Sequence, residues 1–191
     1  MDINHIRIGG KNPFVFSALV YDRDLIGFFD IFPLSESAAT RILSGKLKEN
    51  KLRIEDIISK EGDVQAKNIY IASIMFNKSQ NTVPAIVARE VMVLKLYGHI
   101  VERYAPLSEK RFIAYAHTGP GERLLIRAGF KMVSRARDNV QKRGLYVLEA
   151  RGAEFAQARY ERIISQLMAS RGSEPRIDQV YFRVGTFQRI R

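Results

Sequence analysis

Residues 111–133 (RFIAYAHTGPGERLLIRAGFKMV) constrain the fold more than any other part of the chain. Residues 112–116 are an apolar run of strand length, Gly119, Pro120 and Gly121 end it, and residues 122–128 carry helical spacing. Gly129 suits the left-handed position just past a helix end, because a residue without a Cβ enters positive φ at little steric cost. Phe130 opens the next apolar run. A second apolar strand, 68–76 (NIYIASIMF), lies upstream, with a long helical pattern in between.

The remaining pieces arrange themselves around this unit. Residues 14–22 (FVFSALVYD) and 25–32 (LIGFFDIF) are β-rich and separated by a turn at Arg23 and Asp24, which predicts a hairpin. Pro33 is expected to stop the second strand, since it cannot donate to a ladder. Ser35 is the expected N-cap of a helix reaching about Leu47, with Glu36 in its first turn. A helix over 85–104 starts behind Pro84. It is apolar over most of its circumference through Ile86, Val87, Val91, Leu94, Ile100 and Val101, so it should pack on a sheet. Residues 131–135 and 144–150 read as an antiparallel pair. Residues 154–170 read as an amphipathic helix, and 177–187 as a final strand.

Hairpin, helix, strand, long helix, strand, short helix ending in Gly-Phe, strand, strand: this order over residues 14–150 resembles the GCN5-related N-acetyltransferase (GNAT) family from its second strand onward. The phrase LIGFFDIFPLSESAATRILSG leading into a helix adds to the likeness. The resemblance implies an α/β fold of the α+β kind: a mixed, mainly antiparallel central sheet flanked by helices. Two departures from the family stand out. The family places a strand and one or two helices before the hairpin, whereas about a dozen residues precede Phe14 here. Either this N-terminal part is short, or C-terminal elements or a partner chain fill its place. The family's pyrophosphate loop falls on Asn81, Pro84 and Ile86, where Pro84 lacks an amide hydrogen and Ile86 adds bulk. One lost phosphate hydrogen bond weakens coenzyme A binding by about 1.5–3 kcal/mol.

The implied activity is acyl transfer from acetyl-CoA or another acyl-CoA to an amine by direct attack on the thioester. The family's glutamate base matches Ser73 here, its tyrosine acid matches Leu125, and its asparagine matches Thr118. Other residues must then do the chemistry. His117, at the end of the strand 112–116, is either a base or a loop histidine bonding the turn. Tyr70, Tyr97, Tyr104 and Tyr115 are candidate proton donors for a leaving thiolate or packing residues, and Tyr115 is taken with His117 as the catalytic pair. Asp30 interrupts an apolar strand, which points to a cleft or an arginine beside it and makes it the candidate contact for a cationic acceptor; Glu90 is a weaker one. Backbone groups of Ile74 and Phe76, with Ser79, Gln80, Asn81, Ala85 and Ile86, are the expected cofactor-binding set, bordered by Lys78. Gly119, Pro120 and Gly121 are a phosphate cradle or a plain strand-to-helix turn. Arg123 and Arg127, one turn apart, bind phosphate or face solvent.

Composition narrows the alternatives. At 191 residues and 46% hydrophobic, the chain can bury one good core. The absence of Cys excludes disulfides, thiolate metal sites and a cysteine nucleophile, and three scattered His suggest no metal site. The opening residues lack the apolar core of a secretion signal. Charged residues at 89, 90, 95, 102 and 103 rule out a membrane span in the long helix. A cytoplasmic protein is the expectation. The net charge of +11 is uneven, with 13 Lys and Arg against 6 Asp and Glu in residues 131–191. That basic third suits nucleic acid, the ribosome or an acidic protein, and a binding module that has lost catalysis is the competing reading. The expected organisation is an acyltransferase-like domain over 1–150 and a basic helix–strand appendage over 151–191. The appendage packs over the gap left by the short N-terminal part, within the chain or in a homodimer.

Overall fold

The hairpin forms as its turn predicts, with β1 (Phe16–Tyr21) antiparallel to β2 (Asp24–Leu34). This is a computed structural model that describes residues 8, 10–21, 24–76, 85–104, 109–150, 157, 158, 161, 162, 165 and 181–184. Contrary to expectation, β2 runs through Pro33, which pairs with Ile69 of β3 (Asn68–Phe76). A strand residue's N and O point the same way, and the Pro33 carbonyl accepts from the Ile58 amide at 2.8 Å. The missing amide therefore falls on the side away from β3, and the ladder loses nothing.

Ser35 caps α1 (Glu36–Leu43), its Oγ accepting from the Ala38 amide at 3.2 Å. The helix stops four residues short of the expected end. Gly45 takes φ +71°, and its amide and that of Lys46 donate back to Ile42 and Arg41. Three short 3-10 turns then lead to β3, followed by α2 (Ala85–Tyr104) and β4 (Lys110–Ala116). The next helix, α3 (Gly119–Arg127), starts earlier than its spacing predicts and takes Gly119, Pro120 and Gly121 into its first turn. Thr118 Oγ1 caps it, accepting from the Gly121 amide at 3.1 Å. Gly129 has φ +93°, and Phe130 donates to the Leu125 carbonyl at 3.0 Å, which turns the Phe130 ring into the core. β5 (Lys131–Ser134) and β6 (Gly144–Ala150) complete this side.

Among the described residues one sheet of seven strands results, in the order β5-β6-β4-β3-β2-β1-β7, with β7 spanning Tyr181–Val184. Only β3 and β4 are parallel among the described residues; every other neighbouring pair is antiparallel. This is the mixed, mainly antiparallel sheet flanked by helices that the sequence predicts. β7 pairs with the outer edge of β1 from Ser17↔Val184 to Val20↔Tyr181, so a strand from the end of the chain occupies the edge beside the hairpin. The expected helix over 154–170 lies mostly outside the described residues.

The sheet carries a core on each face. Phe29, Ile31, Ile69, Ile71, Phe112 and Ala114 pack against Val91, Met92, Leu96 and Ile100 of α2. Phe32, Leu34, Tyr70, Ala72, Ile113 and Tyr115 pack against Ala38, Ala39 and Ile42 of α1. Burying a side chain such as Phe29, Ile69 or Phe112 fully contributes about 1.5–3 kcal/mol each, so the central strands anchor the fold. His99 sits in the α2-side core between the rings of Phe29 and Tyr104, and burial pushes its imidazole down to about 4. Among the described residues no helix is long and apolar enough to cross a membrane.

Candidate functional site

The parallel pair does not stay paired. Its ladder runs from Asn68↔Arg111 to Ile71↔Ala114 and stops, although β3 continues to Phe76 and β4 to Ala116. The cause lies in β3. Asp30 pairs with Ser73 while Ile31 pairs with Ile71, so Ala72 is an extra residue, and a bulge of this kind bends its strand and increases the local twist. Beyond the bulge β3 stays bonded to β2 as far as Gly27↔Phe76, and β4 stays bonded to β6 as far as Ala116↔Gly144. Each strand is therefore held on its outer side while the inner edges part. This leaves an opening in the ladder between residues 72–76 and the end of β4.

Ile74 and Phe76 lie on this edge, half-buried against the α2-side core. Because β3 and β4 are parallel, α2 must run back between them, which returns its N-terminus to the end of the sheet where the opening lies. A helix start there offers free amides and a positive dipole end to an anion. Ala85 and Ile86 form its first turn, described in backbone only. Lys78, Ser79, Gln80, Asn81 and Pro84 fall outside the described residues, as does the Glu90 side chain.

On the α1 face, polar groups gather at the same end of the sheet. The period of two that buries Phe32 and Leu34 there also turns Asp30 to that side, and the bulge brings Ser73 onto it beside Ala72. Ser73 Oγ donates to Asp30 Oδ2 at 2.5 Å. Asp30 is only 8% exposed. Burial raises its carboxyl to about 6 against the lowering effect of the Ser73 bond, and the Glu49 charge adds to the rise. Glu49 comes from the 3-10 turn Glu49–Lys51 after α1, which is held by a bond from the Glu49 amide to Gln141 Oε1 at 3.2 Å. Its Oε2 accepts from the Tyr70 hydroxyl at 3.0 Å and lies 3.2 Å from His117 Nε2.

The two residues expected to be catalytic are thus placed differently. His117 is at the mouth, 44% exposed, tied to Glu49. Tyr115 is buried behind it, edge-on to Tyr70 at 6.3 Å, with its hydroxyl donating to the Ile42 carbonyl at 3.5 Å. Burial, then Glu49, pushes the Tyr115 phenol up to about 12, and the same causes hold the Tyr70 phenol well above its usual value. Tyr97 and Tyr104 belong to the α2-side core, away from this cluster. Glu49 was not among the sequence candidates. One glutamate in the charged run 46–53 has no periodic or motif signal, and only the return of the loop over β3 and β4 gives it a role.

A raised carboxyl carries a stability cost with a definite sign. Below pH 4 Asp30 is protonated in both folded and unfolded chains and costs nothing; between pH 4 and 6 the unfolded chain ionises first, so stability falls as pH rises. Asp30→Asn is expected to stabilise the protein by about 1–3 kcal/mol above pH 6, with the gain vanishing near pH 4. Urea unfolding at pH 4.0 and 7.5 checks this, and an equal effect at both values would contradict it.

A second chemical surface lies on β5 and the turn after it. Lys131, Arg135, Arg137, Lys142 and Arg143 are all exposed there, with Asp138 opposing them and paired to Arg137 at 3.6 Å. Arg123 and Arg127 are exposed on α3, and Gly119, Pro120 and Gly121 form the first turn of that helix behind the Thr118 cap. No group of three or more His, Asp or Glu able to hold a metal ion occurs among the described residues. No protein-family model and no curated protein matches this chain.

Proposed function

We propose that this protein is an acyl-CoA-dependent N-acyltransferase of GNAT type. The observation that carries the reading is the parallel pair β3 and β4, whose ladder ends at Ile71 and Ala114 with both strands still bonded on their outer sides. An opening of that kind presents the peptide edge of β3 to an extended pantetheine-like arm, which needs backbone partners rather than side chains. The pyrophosphate goes to the start of α2, where residues 85 and 86 supply amides and Pro84 supplies none. The acyl carbonyl lies at the fork of the strands. The amine approaches from the α1 face, where Asp30 and Glu49 favour a cationic acceptor. The strand β7 takes the sheet-edge position that the family fills from its N-terminus.

Calorimetric titration with acetyl-CoA and with longer acyl-CoAs tests the reading. Saturable binding at micromolar to low millimolar concentration is expected, tightened up to about tenfold in Pro84→Gly by one recovered amide. No binding to any of them at millimolar concentration overturns it. The exposed cations on β5 and its following turn favour a second reading, a binding module for nucleic acid or an acidic protein. In that case RNA binds without acyl-CoA affinity, and its affinity falls steeply with salt.

A further inference from the structure

Ser73 is the first residue of β3 beyond the bulge, half-buried, on the strand edge that parts from β4. Its one hydroxyl hydrogen is committed to Asp30 Oδ2, and among the described residues no group donates to its oxygen lone pairs. Asp30 stands one strand behind it, buried, and among the described residues Ser73 is its hydrogen-bond partner. A carboxylate behind a hydroxyl oxygen, which can accept as well as donate, is a path for a proton. The other buried aspartates are held by charged or amide donors instead, Asp63 by Arg103 and Asn12 and Asp56 by Arg41 and the Arg53 amide.

Resting on the acyltransferase reading, we propose that Ser73 and Asp30 form a two-residue proton relay that deprotonates an aliphatic ammonium acceptor. Ser73 is the catalytic residue, touching the amine, and Asp30 is the positioning residue and final proton acceptor behind it. One N–H proton of the ammonium passes to Ser73 Oγ as the Ser73 proton passes to Asp30, which becomes neutral. The freed nitrogen lone pair bonds to the thioester carbon, and the carbon–sulfur bond breaks with its electrons leaving on sulfur. A second N–H proton then neutralises the thiolate, and Asp30 releases its proton to water. Ammonium and thioester become amide, thiol and one proton. Burial keeps Asp30 basic enough to take a proton near neutral pH, and the groups facing it are Ser73 and Glu49, the latter carrying Tyr70 and His117.

The test is thiol release from acetyl-CoA with 1,4-diaminobutane as acceptor. The chain contains no Cys, so every thiol detected is coenzyme A. In the wild type kcat/KM should rise through a limb near pH 6. Asp30→Asn and Ser73→Ala should each lower kcat by about 10²–10⁴-fold and remove that limb. The double variant Asp30→Asn/Ser73→Glu, which moves the carboxylate forward by one strand, should recover at least tenfold of the loss. Calorimetric affinity for acetyl-CoA should stay within about threefold throughout. Asp30→Asn that keeps the wild-type rate and limb, or a double variant no better than Asp30→Asn, overturns the relay. Acetyl-CoA binding without thiol release in the wild type overturns the relay and leaves the acyltransferase reading standing. Loss of acetyl-CoA binding itself overturns both.

Discussion

Asp63→Ala is expected to destabilise the protein by about 3–5 kcal/mol, the largest single effect the structure predicts. Asp63 is fully buried, with 0% exposure. Its two oxygens take Arg103 Nε at 3.0 Å and Nη2 at 2.9 Å, and Asn12 Nδ2 donates to it at 3.1 Å. Asn12 in turn donates to the Ile58 carbonyl and accepts from the Phe14 amide, while Arg103 stacks 3.6 Å over the Phe14 ring. One carboxylate thereby ties the segment before β1, the turn before β3 and the last turn of α2. Alanine strands a partly buried guanidinium without its counter-charge, and that penalty exceeds the modest net worth of the pair. For a chain of this size the midpoint should fall by about 6–20 °C. Thermal and urea unfolding read the loss. Asp63→Leu/Arg103→Met should recover much of it, since replacing both partners leaves no orphan charge. A single variant within 1 kcal/mol of wild type would show that water already satisfies the site.

Truncation after Ala150 is expected to convert the protein to an associating or aggregating form. It removes β7 and leaves the ladder positions Ser17–Val20 of β1 as an open edge. An unpaired edge beside an apolar core recruits strands from other copies. The opposite edge, β5, tolerates exposure differently, because Lys131 and Arg135 flank its exposed Met132 and Val133. Light scattering and thermal melting of the truncated chain check the prediction. A product that stays soluble, monomeric and equally heat-stable would show β7 to be dispensable.

Most elements are legible from short-range signals. β3 and α2 have the bounds their apolar patterns predict, and Ser35 and Gly129 act where cap chemistry puts them. The misreadings have physical causes of the same kind. Pro33 continues a strand because its ring faces away from β3, and direction along a ladder is invisible without the partner. Gly45 ends α1 early because its positive φ carries the chain back beside Asn139, a contact with a residue far along the chain.

The candidate site divides along the same line. That Asp30 is an anomaly on an apolar strand is written in the sequence, as are Tyr70, Tyr115 and His117 near strand ends, because periodicity and burial act over a few residues. What Asp30 faces is not. Its alignment with Ser73 depends on one extra residue in β3, and a shift of one place in a strand sends every side chain to the other face. The same bulge parts β3 from β4. Glu49 joins Tyr70 and His117 only once a loop from α1 folds across two strands. Local rules act within a turn or a strand, so they set the elements and their caps. Cross-strand register and loop return join residues 21 to 68 positions apart, and only the folded chain decides those.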